Sequence, residues 1–144
     1  MEKSKYNFLE GVATADAAFE AYGATIAEMF ENAAQALFSV MAPLEKIGNE
    51  SIRDLNVSAA TEDELLFNWL AELIYLKDVH GELYSQFKVR IERSEAYMLA
   101  AEIRGDTIDL VREHTHNDVK AVTYHRLAIE QRDNGFVATV VLDL

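Results

Sequence analysis

Two aspartates stand where a carboxylate could contribute to a metal site. Asp143 lies in the closing stretch VVLDL, one residue before a free carboxylate, so this end of the chain is rich in oxygen atoms. Asp16 lies in TADAAFEAYG, before a strand pattern and between small residues that let another backbone approach closely. On its own, Asp16 is also typical of an ordinary turn aspartate, so the pair needs support from the rest of the chain.

The four histidines raise the question of a zinc site. In REHTHND, His114 and His116 have alternate spacing, which would place both imidazoles on one side of an extended segment. Zinc needs a third and a fourth ligand, and His80 and His125 are isolated in sequence. The pattern is therefore more typical of solvated loop histidines than of a zinc site.

Motifs for autonomous nucleotide binding or nucleophilic catalysis are missing from the sequence. It contains neither G-x-x-x-x-G-K-[ST] nor G-x-G-x-x-G, and it has no serine nucleophile elbow. Paired carboxylates abound, but in so acidic a chain most are solvated, and no pair identifies itself as a catalytic acid and base.

The composition favours one intracellular domain, residues 1–144. A chain of this length, with half of its residues hydrophobic and a single proline, can bury a sizeable core. The lack of cysteine excludes disulfides and thiolate zinc sites. No run of about 18 uncharged apolar residues occurs, so we expect no membrane span and a cytoplasmic location.

The formal net charge of −12 bears on the choice of partner. Such a charge repels phosphate groups, so we expect no tight binding of RNA by the isolated chain. A cation or a basic protein partner suits the charge better, although a negative surface also keeps many cytoplasmic proteins soluble.

Two segments carry the start and stop signals of helices. The segment TIAEMFENAAQALFSVM begins with Thr25 and Glu28 in capping-box spacing, has one apolar face and is stopped by Pro43. The segment TEDELLFNWLAELIYLKDVHG repeats this capping device and ends near Gly81. Apolar residues nearly encircle the second helix, which predicts that it is the central one.

The remainder of the chain predicts β-strands. The stretches AFEAYG, LNVSA, LYSQFKVRIE and YMLAAEIRG have the alternation or β-branched content of half-buried strands. The stretch HRLAIEQRDNGFVATVVLDL predicts a hairpin with its turn at residues 133–135. This order of elements predicts an α+β domain with two main helices packed on a mainly antiparallel β-sheet.

Four stretches, in register and across nearly the whole chain, resemble the archease family: NFLE...TADAAFEAYGATIAEMFENAAQALFSVM, LLFNWLAELIYLKD, DVKAVTYHRLAIE and ATVVLDL. The resemblance implies an α+β fold built from strand-helix-strand-strand modules. Archeases are known as small acidic helpers of the RtcB-type RNA ligase, the GTP-dependent enzyme of tRNA splicing. The resemblance therefore implies a noncatalytic accessory factor that promotes guanylylation and repeated turnover of that ligase.

The resemblance also implies a metal site made of Asp16, Asp143 and a main-chain oxygen of Leu144. Two carboxylates about 4 Å apart repel by about 1 kcal/mol in water and about 4 kcal/mol at an effective dielectric constant of about 20, so a cation between them is favourable. The family favours Ca²⁺, and oxygen ligands also suit Mg²⁺ or Mn²⁺. By the same resemblance, Lys120 in VKAVTYH is a candidate contact for the ligase or for nucleotide phosphates, as opposed to a plain surface lysine.

One motif departs from the family, and other functions stay open. The chain has EGVATADAA where archeases commonly have EHTADIG, so it lacks that histidine. A stand-alone metal-dependent hydrolase would use Asp16 and Asp143 to hold the ion, with His125 or His114 as base. Further alternatives are a purely structural metal that pins the last strand and a general chaperone for RNA-modifying enzymes.

Overall fold

The computed structural model of the protein describes residues 4–10 and 16–144, in which two main helices pack on antiparallel β-sheets. The elements, in chain order, are β1 (Tyr6–Leu9), β2 (Asp16–Gly23), α1 (Ile26–Ser39), a 3₁₀ helix (Leu44–Lys46), β3 (Ser51–Ala59), α2 (Glu62–His80), β4 (Glu82–Arg93), β5 (Tyr97–Thr107), a second 3₁₀ helix (Ile108–His114), β6 (Ala121–Val122), β7 (Ala128–Arg132) and β8 (Gly135–Asp143). The predicted α+β class is confirmed.

The strands form two separate sheets rather than the one that the sequence suggested. The first sheet has the order β1-β2-β8-β6, and β7 also pairs with β8. The second sheet has the order β3-β5-β4, so β3, α2, β4 and β5 follow one another as strand, helix, strand and strand. This order is compatible with the modules that the family resemblance implied. All strand pairs in both sheets are antiparallel.

Both helices begin as their capping residues predict, and α2 also ends as predicted. The Thr25 side chain accepts the Glu28 amide at 3.1 Å, and the Glu28 carboxylate in turn accepts the amide of Ala24, the residue before the cap, in a variant of the capping box. Thr61 caps α2 in the same way. Gly81 ends α2 with a left-handed φ of 62°, which glycine adopts without steric cost.

One hydrophobic cluster joins both sheets and both helices. Trp69 of α2 is fully buried in it and donates its indole N–H to the main-chain oxygen of Phe30 in α1 at 3.0 Å. The predicted central position of α2 is wrong in part: it contacts strands of both sheets, but Tyr75 and Val79 are 59% and 55% exposed. The sheets therefore bury only part of the apolar surface of α2.

Side chains of α1 also satisfy the outer edge of β4. Glu31 accepts the main-chain N–H of Val89 at 2.9 Å, and Gln35 donates to the main-chain oxygen of Ser85 at 3.3 Å. An unpaired strand edge exposes amide and carbonyl groups that can pair with another chain. The helix therefore holds this edge in place and protects part of it.

Two segments differ from the structure that the sequence suggested. The strand β1 was not predicted, and the segment that contains His114 forms a 3₁₀ helix instead of an extended segment. The predicted hairpin is confirmed, and Asp133 and Asn134 have φ of 47° and 68° in its turn.

Among the described residues, no helix is long and apolar enough to cross a membrane.

An ion pair between the half-buried Arg53 and the buried Glu82 lies at one end of the second sheet. The Arg53 guanidinium donates to both carboxylate oxygens of Glu82, at 2.7 and 3.3 Å, and the Tyr84 hydroxyl donates to the same carboxylate at 2.8 Å. The hydrogen bond from Arg53 lowers the pKa of Glu82 to about 2 despite burial, which acts in the opposite direction. Burial, together with the negative charge of Glu82, raises the pKa of Tyr84.

We expect Glu82→Gln to lower the free energy of unfolding at pH 7 by about 2 kcal/mol, because a charged acceptor of three hydrogen-bond contacts is lost. The pKa of Glu82 is lower in the folded chain than its ordinary value of 4.5. Its contribution is therefore complete above about pH 4.5 and is lost as the pH falls towards 2. Urea unfolding of parent and variant between pH 7 and pH 3 measures the difference, which should shrink below pH 4.5.

The matched control for this prediction is Glu102→Gln. Glu102 pairs with Arg104 at 3.1 Å, but both side chains are more than a third exposed. An exposed ion pair contributes little to stability, so the free energy of unfolding of this variant should stay within about 0.5 kcal/mol of that of the parent at every pH. Equal losses of the free energy of unfolding in the two variants would contradict the special role of the pair between Arg53 and Glu82.

Candidate metal site and its surroundings

The register of the first sheet places the two predicted metal ligands opposite each other. Asp16 is the first residue of β2 and Asp143 is the last of β8, and they are direct partners in the antiparallel pairing of these strands. Residues directly opposite in such a pair have Cβ atoms about 5 Å apart and side chains on the same face of the sheet. The structure therefore brings Asp16 and Asp143 together although they are at opposite ends of the sequence.

Both carboxylates lie on the face of the sheet that points away from the helices. Phe19 and Ala21 in β2, and Val140 and Leu142 in β8, belong to the hydrophobic cluster. Side chains alternate along a strand, so Asp16 is on the opposite face of β2. Asp16 is half-buried and Asp143 is exposed, which leaves room for water molecules and an ion.

The strand β6 extends the first sheet beside the aspartate pair, at the corner of the sheet that is formed by Asp16 and Asp143. Ala121 of β6 lies opposite Asp143 on the side away from β2, and the amide of Lys120 donates to the main-chain oxygen of Asp143 at 2.8 Å. Thr123 donates both its amide and its hydroxyl to the main-chain oxygen of Val141. The backbone hydrogen bond to Asp143 thus places the backbone of Lys120, whose side chain is exposed, beside the strand that carries Asp143.

Lys77 of α2 holds the segment that carries Lys120. Its side chain is only 5% exposed, and its ammonium group donates to the Asp118 carboxylate at 2.7 Å and to the main-chain oxygen of Val119 at 2.9 Å. Asp78 adds a further carboxylate at 2.8 Å. No sequence motif distinguishes Lys77 from other lysines, and its position in the last apolar turn of α2 is the only signal that it is buried.

Leu144 completes the set of residues that the family resemblance implied. Its side chain is half-buried and packs against the hydrophobic cluster, next to the strand residue Asp143. Leu144 directly follows Asp143, so its main chain continues from the strand end that carries this aspartate.

The donor set at this corner fits a hard divalent ion. All its atoms are oxygens, from two carboxylates and the main chain, and such donors suit Ca²⁺, Mg²⁺ or Mn²⁺. Within the part of the chain that the structure describes, no three side chains of His, Cys, Asp or Glu are grouped as metal ligands. The protein therefore offers few ligands here, and water would fill most positions around an ion.

The histidines do not assemble at this corner or into a zinc site. His114 ends the second 3₁₀ helix, and the amide of His116 donates to the main-chain oxygen of Met41 at 2.6 Å. Both imidazoles are exposed. The prediction that alternate spacing would place them on one side of an extended segment is wrong, because His114 is helical.

An aromatic stack positions the turn after β6. The rings of Tyr124 and Phe67 are parallel, with centroids 3.8 Å apart, so this turn rests on α2. Arg126 adopts a left-handed φ of 57° in the same turn, and His125 is exposed beside it. Two contacts with α2, this stack and the Lys77 ammonium group, therefore hold the two ends of the segment from 118 to 126.

The structure is that of an α+β protein with two antiparallel sheets. Strands β2 and β8 of the first sheet bring two aspartates together at one corner. Residues 6–144 match the model of the Archease protein family (MTH1598/TM1083). The chain belongs to this family, as the sequence resemblance predicted.

Relatives with known names support this assignment over nearly the whole chain. Protein archease of Methanosarcina barkeri is 37% identical over 142 residues, which cover 97% of this chain and 96% of the relative. Protein archease of Pyrococcus abyssi is 35% identical over 133 residues, with coverage of 91% and 94%.

Two solved structures have the same fold. The solution structure of Methanobacterium thermoautotrophicum protein 1598 has a TM-score of 0.84 at 34% identity and covers 97% of this chain and 99% of its own. The crystal structure of a Thermotoga maritima archease, described as a possible chaperone, has a TM-score of 0.62 at 21% identity, with coverage of 96% and 98%. At that identity the second likeness shows the fold alone.

We expect Lys77→Met to loosen the segment from 118 to 123 next to the aspartate pair. Methionine keeps the length and the packing of the stem, but the Val119 oxygen and the Asp118 carboxylate lose their donor. Hydrogen exchange at the amides of Lys120 and Thr123 should become about tenfold faster, which corresponds to about 1.4 kcal/mol of local stability. Exchange measured by NMR reads these amides individually.

Lys88→Met is the control for this experiment, since Lys88 is an exposed residue of β4. It should leave exchange at both amides unchanged. If Lys77→Met also leaves them unchanged, Lys77 does not hold this segment.

Proposed function

We propose that this chain is a noncatalytic, divalent-metal-binding accessory factor that promotes guanylylation and repeated turnover of an RtcB-type RNA ligase in tRNA splicing and RNA repair. The ligase carries out the chemistry, and this chain helps to position a metal ion, a nucleophile or GTP for it. The proposal places the protein in the cytoplasm, and it takes Ca²⁺ as the preferred ion, with Mg²⁺ or Mn²⁺ as substitutes.

The observation that carries this proposal is the direct pairing of Asp16 with Asp143. Like charges directly opposite in a sheet are destabilising, so this pair is unfavourable for folding unless a cation is bound. Two carboxylates in a rigid register, supplemented by a Leu144 main-chain oxygen, support a resident ion with open positions. A divalent ion held there supplies a Lewis acid that can act on a partner's phosphate or water oxygen.

Lys120 supports the same function as a contact at the edge of this site. Its backbone is fixed by the hydrogen bond to Asp143, while its ammonium group is exposed and free to move. A cation on a flexible stem can bind a phosphate group or an acidic side chain of a partner. Lys120 would therefore bring a positive charge next to an otherwise acidic corner.

The alternatives receive less support from the geometry. A hydrolase needs a substrate cleft beside its metal, but the large cleft of the described chain lies at the other end of β2, around Tyr22 and Gly23. A chaperone-like role for RNA-modifying enzymes agrees with the description of the Thermotoga maritima protein as a possible chaperone. That role differs from the proposal only in how specific the partner is.

We expect Asp143→Asn to abolish stabilisation by divalent ions without lowering the stability of the metal-free chain. The amide keeps the shape of the side chain and removes one of the two repelling charges. For the parent, an ion at about 100 times its dissociation constant adds about 2.7 kcal/mol, which raises the melting temperature by roughly 10 °C. Thermal melts with excess chelator, and then with Ca²⁺ or Mn²⁺, measure both quantities.

Asp16→Asn should behave in the same way, whereas Asp54→Asn is the control. Asp54 is an exposed strand aspartate that lies opposite Glu102, so its loss also removes a like-charge contact but at a distance from the corner. This control should keep the full ion-dependent rise in melting temperature. An undiminished rise in the melting temperature of Asp16→Asn or Asp143→Asn would overturn the two-aspartate site.

Lys120→Ala should reduce stimulation of an RtcB-type ligase severalfold and leave the melting temperature within about 1 °C of the parent, because an exposed lysine contributes little to stability. The assay measures joining of RNA ends by the ligase with GTP and Mn²⁺, with and without this chain. Lys46→Ala, an exposed lysine of the first 3₁₀ helix, is the control. Stimulation by Lys120→Ala equal to that by the parent would reject the contact.

A further inference from the structure

A cleft of about 1010 Å³ opens at the end of β2 that is remote from Asp16. It lies between α1, the turn from β7 to β8 and the strand β4. The eight residues of β2 separate it from the aspartate pair by roughly 23 Å. The proposed metal site makes no use of this cleft.

Four polar residues of α1 line the cleft as one stripe, since their spacing places them on the same face of the helix. They are Glu28, Glu31, Asn32 and Gln35. Asn32 is only 8% exposed, and its amide nitrogen donates to the main-chain oxygen of Tyr22 at 2.6 Å. The Gln35 nitrogen donates to the oxygen of Ser85. Each amide nitrogen therefore makes one hydrogen bond within the protein and keeps one further N–H group.

What the stripe still offers to a ligand is mainly a set of acceptors. Asn32 and Gln35 each keep a carbonyl oxygen beside one N–H group, and among the described hydrogen bonds none is accepted by either oxygen. Glu31 and Glu28 each accept a main-chain amide with one oxygen, at 2.9 and 3.3 Å, and keep the other. A ligand for this stripe must therefore be rich in hydrogen-bond donors.

Two aromatic rings also line the cleft. Phe87 and Phe136 are both half-buried and line the cleft. Phe87 is held by stacking on Phe38, with ring centroids 5.8 Å apart, and by an edge contact with Trp69. Rigid aromatic faces next to acceptor oxygens suit a flat cation.

The charges around the cleft favour a cation as well. The lining includes Glu28, Glu31 and Asp133 against Lys5 and Arg132. Arg132 is already paired with Glu130 at 3.1 Å and with Glu20 at 3.4 Å, so its donors are directed to these carboxylates and not to the α1 stripe. The chain as a whole carries a net charge of −12, which attracts basic partners over a longer range.

We propose that this cleft binds a guanidinium group, presented as an arginine side chain by a partner protein. Guanidinium is planar, has five N–H donors in a fixed geometry and stacks on aromatic faces, so it uses both the acceptor stripe and the rings. An ammonium group matches the acceptors but not the flat walls. The cleft would thus be a second contact surface, independent of the aspartate pair.

The test uses NMR of the ¹⁵N-labelled chain titrated with N-acetyl-L-arginine amide. One blocked residue has little surface to bury, so a dissociation constant of about 1–10 mM is expected. Shifts should centre on the side-chain amides of Asn32 and Gln35 and on the backbone of Gly23. N-acetyl-L-citrulline amide, which has nearly the same shape without the charge, should bind at least about tenfold more weakly.

Two variants assign the binding to this cleft. Glu31→Gln retains an oxygen for the amide of Val89 and removes the charge, so it should fold and weaken arginine binding about fivefold or more. Phe136→Leu retains an apolar side chain without the aromatic face and should weaken it severalfold. Glu72→Gln, at a half-buried glutamate of α2 outside this cleft, is the control and should leave binding unchanged.

Several results would overturn the proposal. The first is the absence of arginine-induced shifts up to 50 mM, which is about five times the upper expected dissociation constant. The second is a set of shifts spread over the acidic surface instead of centred on the cleft. Equal affinity for the arginine and citrulline compounds, or undiminished arginine binding by folded Glu31→Gln, would also overturn it. Tighter binding of guanosine monophosphate than of arginine in the same cleft would instead indicate a nucleotide site. Failure of this test leaves the ion-dependent melts of the aspartate variants unaffected, so the two proposals are judged separately.

Discussion

The antiparallel register between β2 and β8 fixes the positions of both candidate sites. At one end it sets Asp16 opposite Asp143, and at the other it sets Gly23 opposite Phe136 beside the cleft. A slip of one residue would turn the aspartates towards the core and Phe19 towards solvent. Burial of alternate residues of both strands in the hydrophobic cluster prevents such a slip. The core therefore specifies the geometry of both surface sites.

Positive charges are few in this acidic chain, and two of them stabilise the fold. Arg53 and Lys77 each hold a carboxylate at 2.7 Å, and both join segments that are distant in sequence. Arg53 joins β3 to β4, and Lys77 joins α2 to the segment before β6. Using cations in this way leaves much of the acidic surface without internal partners. A surface of that kind favours metal ions and basic proteins over nucleic acid.

Local signals in the sequence predicted the elements better than their arrangement. Thr25, Thr61 and Gly81 marked helix ends because capping hydrogen bonds involve neighbouring residues only. The division into two sheets and the burial of Lys77 depend on contacts between distant segments, which composition and periodicity do not encode. The resemblance to archeases did name Asp16 and Asp143 together, and the structure places them opposite each other. The acceptor stripe of α1 was missed, because its residues are typical of a solvated helix face.

The two sheets differ in the order in which a folding chain can build them. The second sheet and α2 come from one continuous segment, Ser51 to Thr107, so their contacts close over shorter stretches of chain than those of the first sheet. The first sheet needs strands from both ends of the chain, and the entropy lost on closing so long a loop slows this step. We expect the second sheet to form early and to offer α2 as a surface on which the first sheet assembles. The aspartate pair would then come together only in the last stage of folding, when most of the core is already formed.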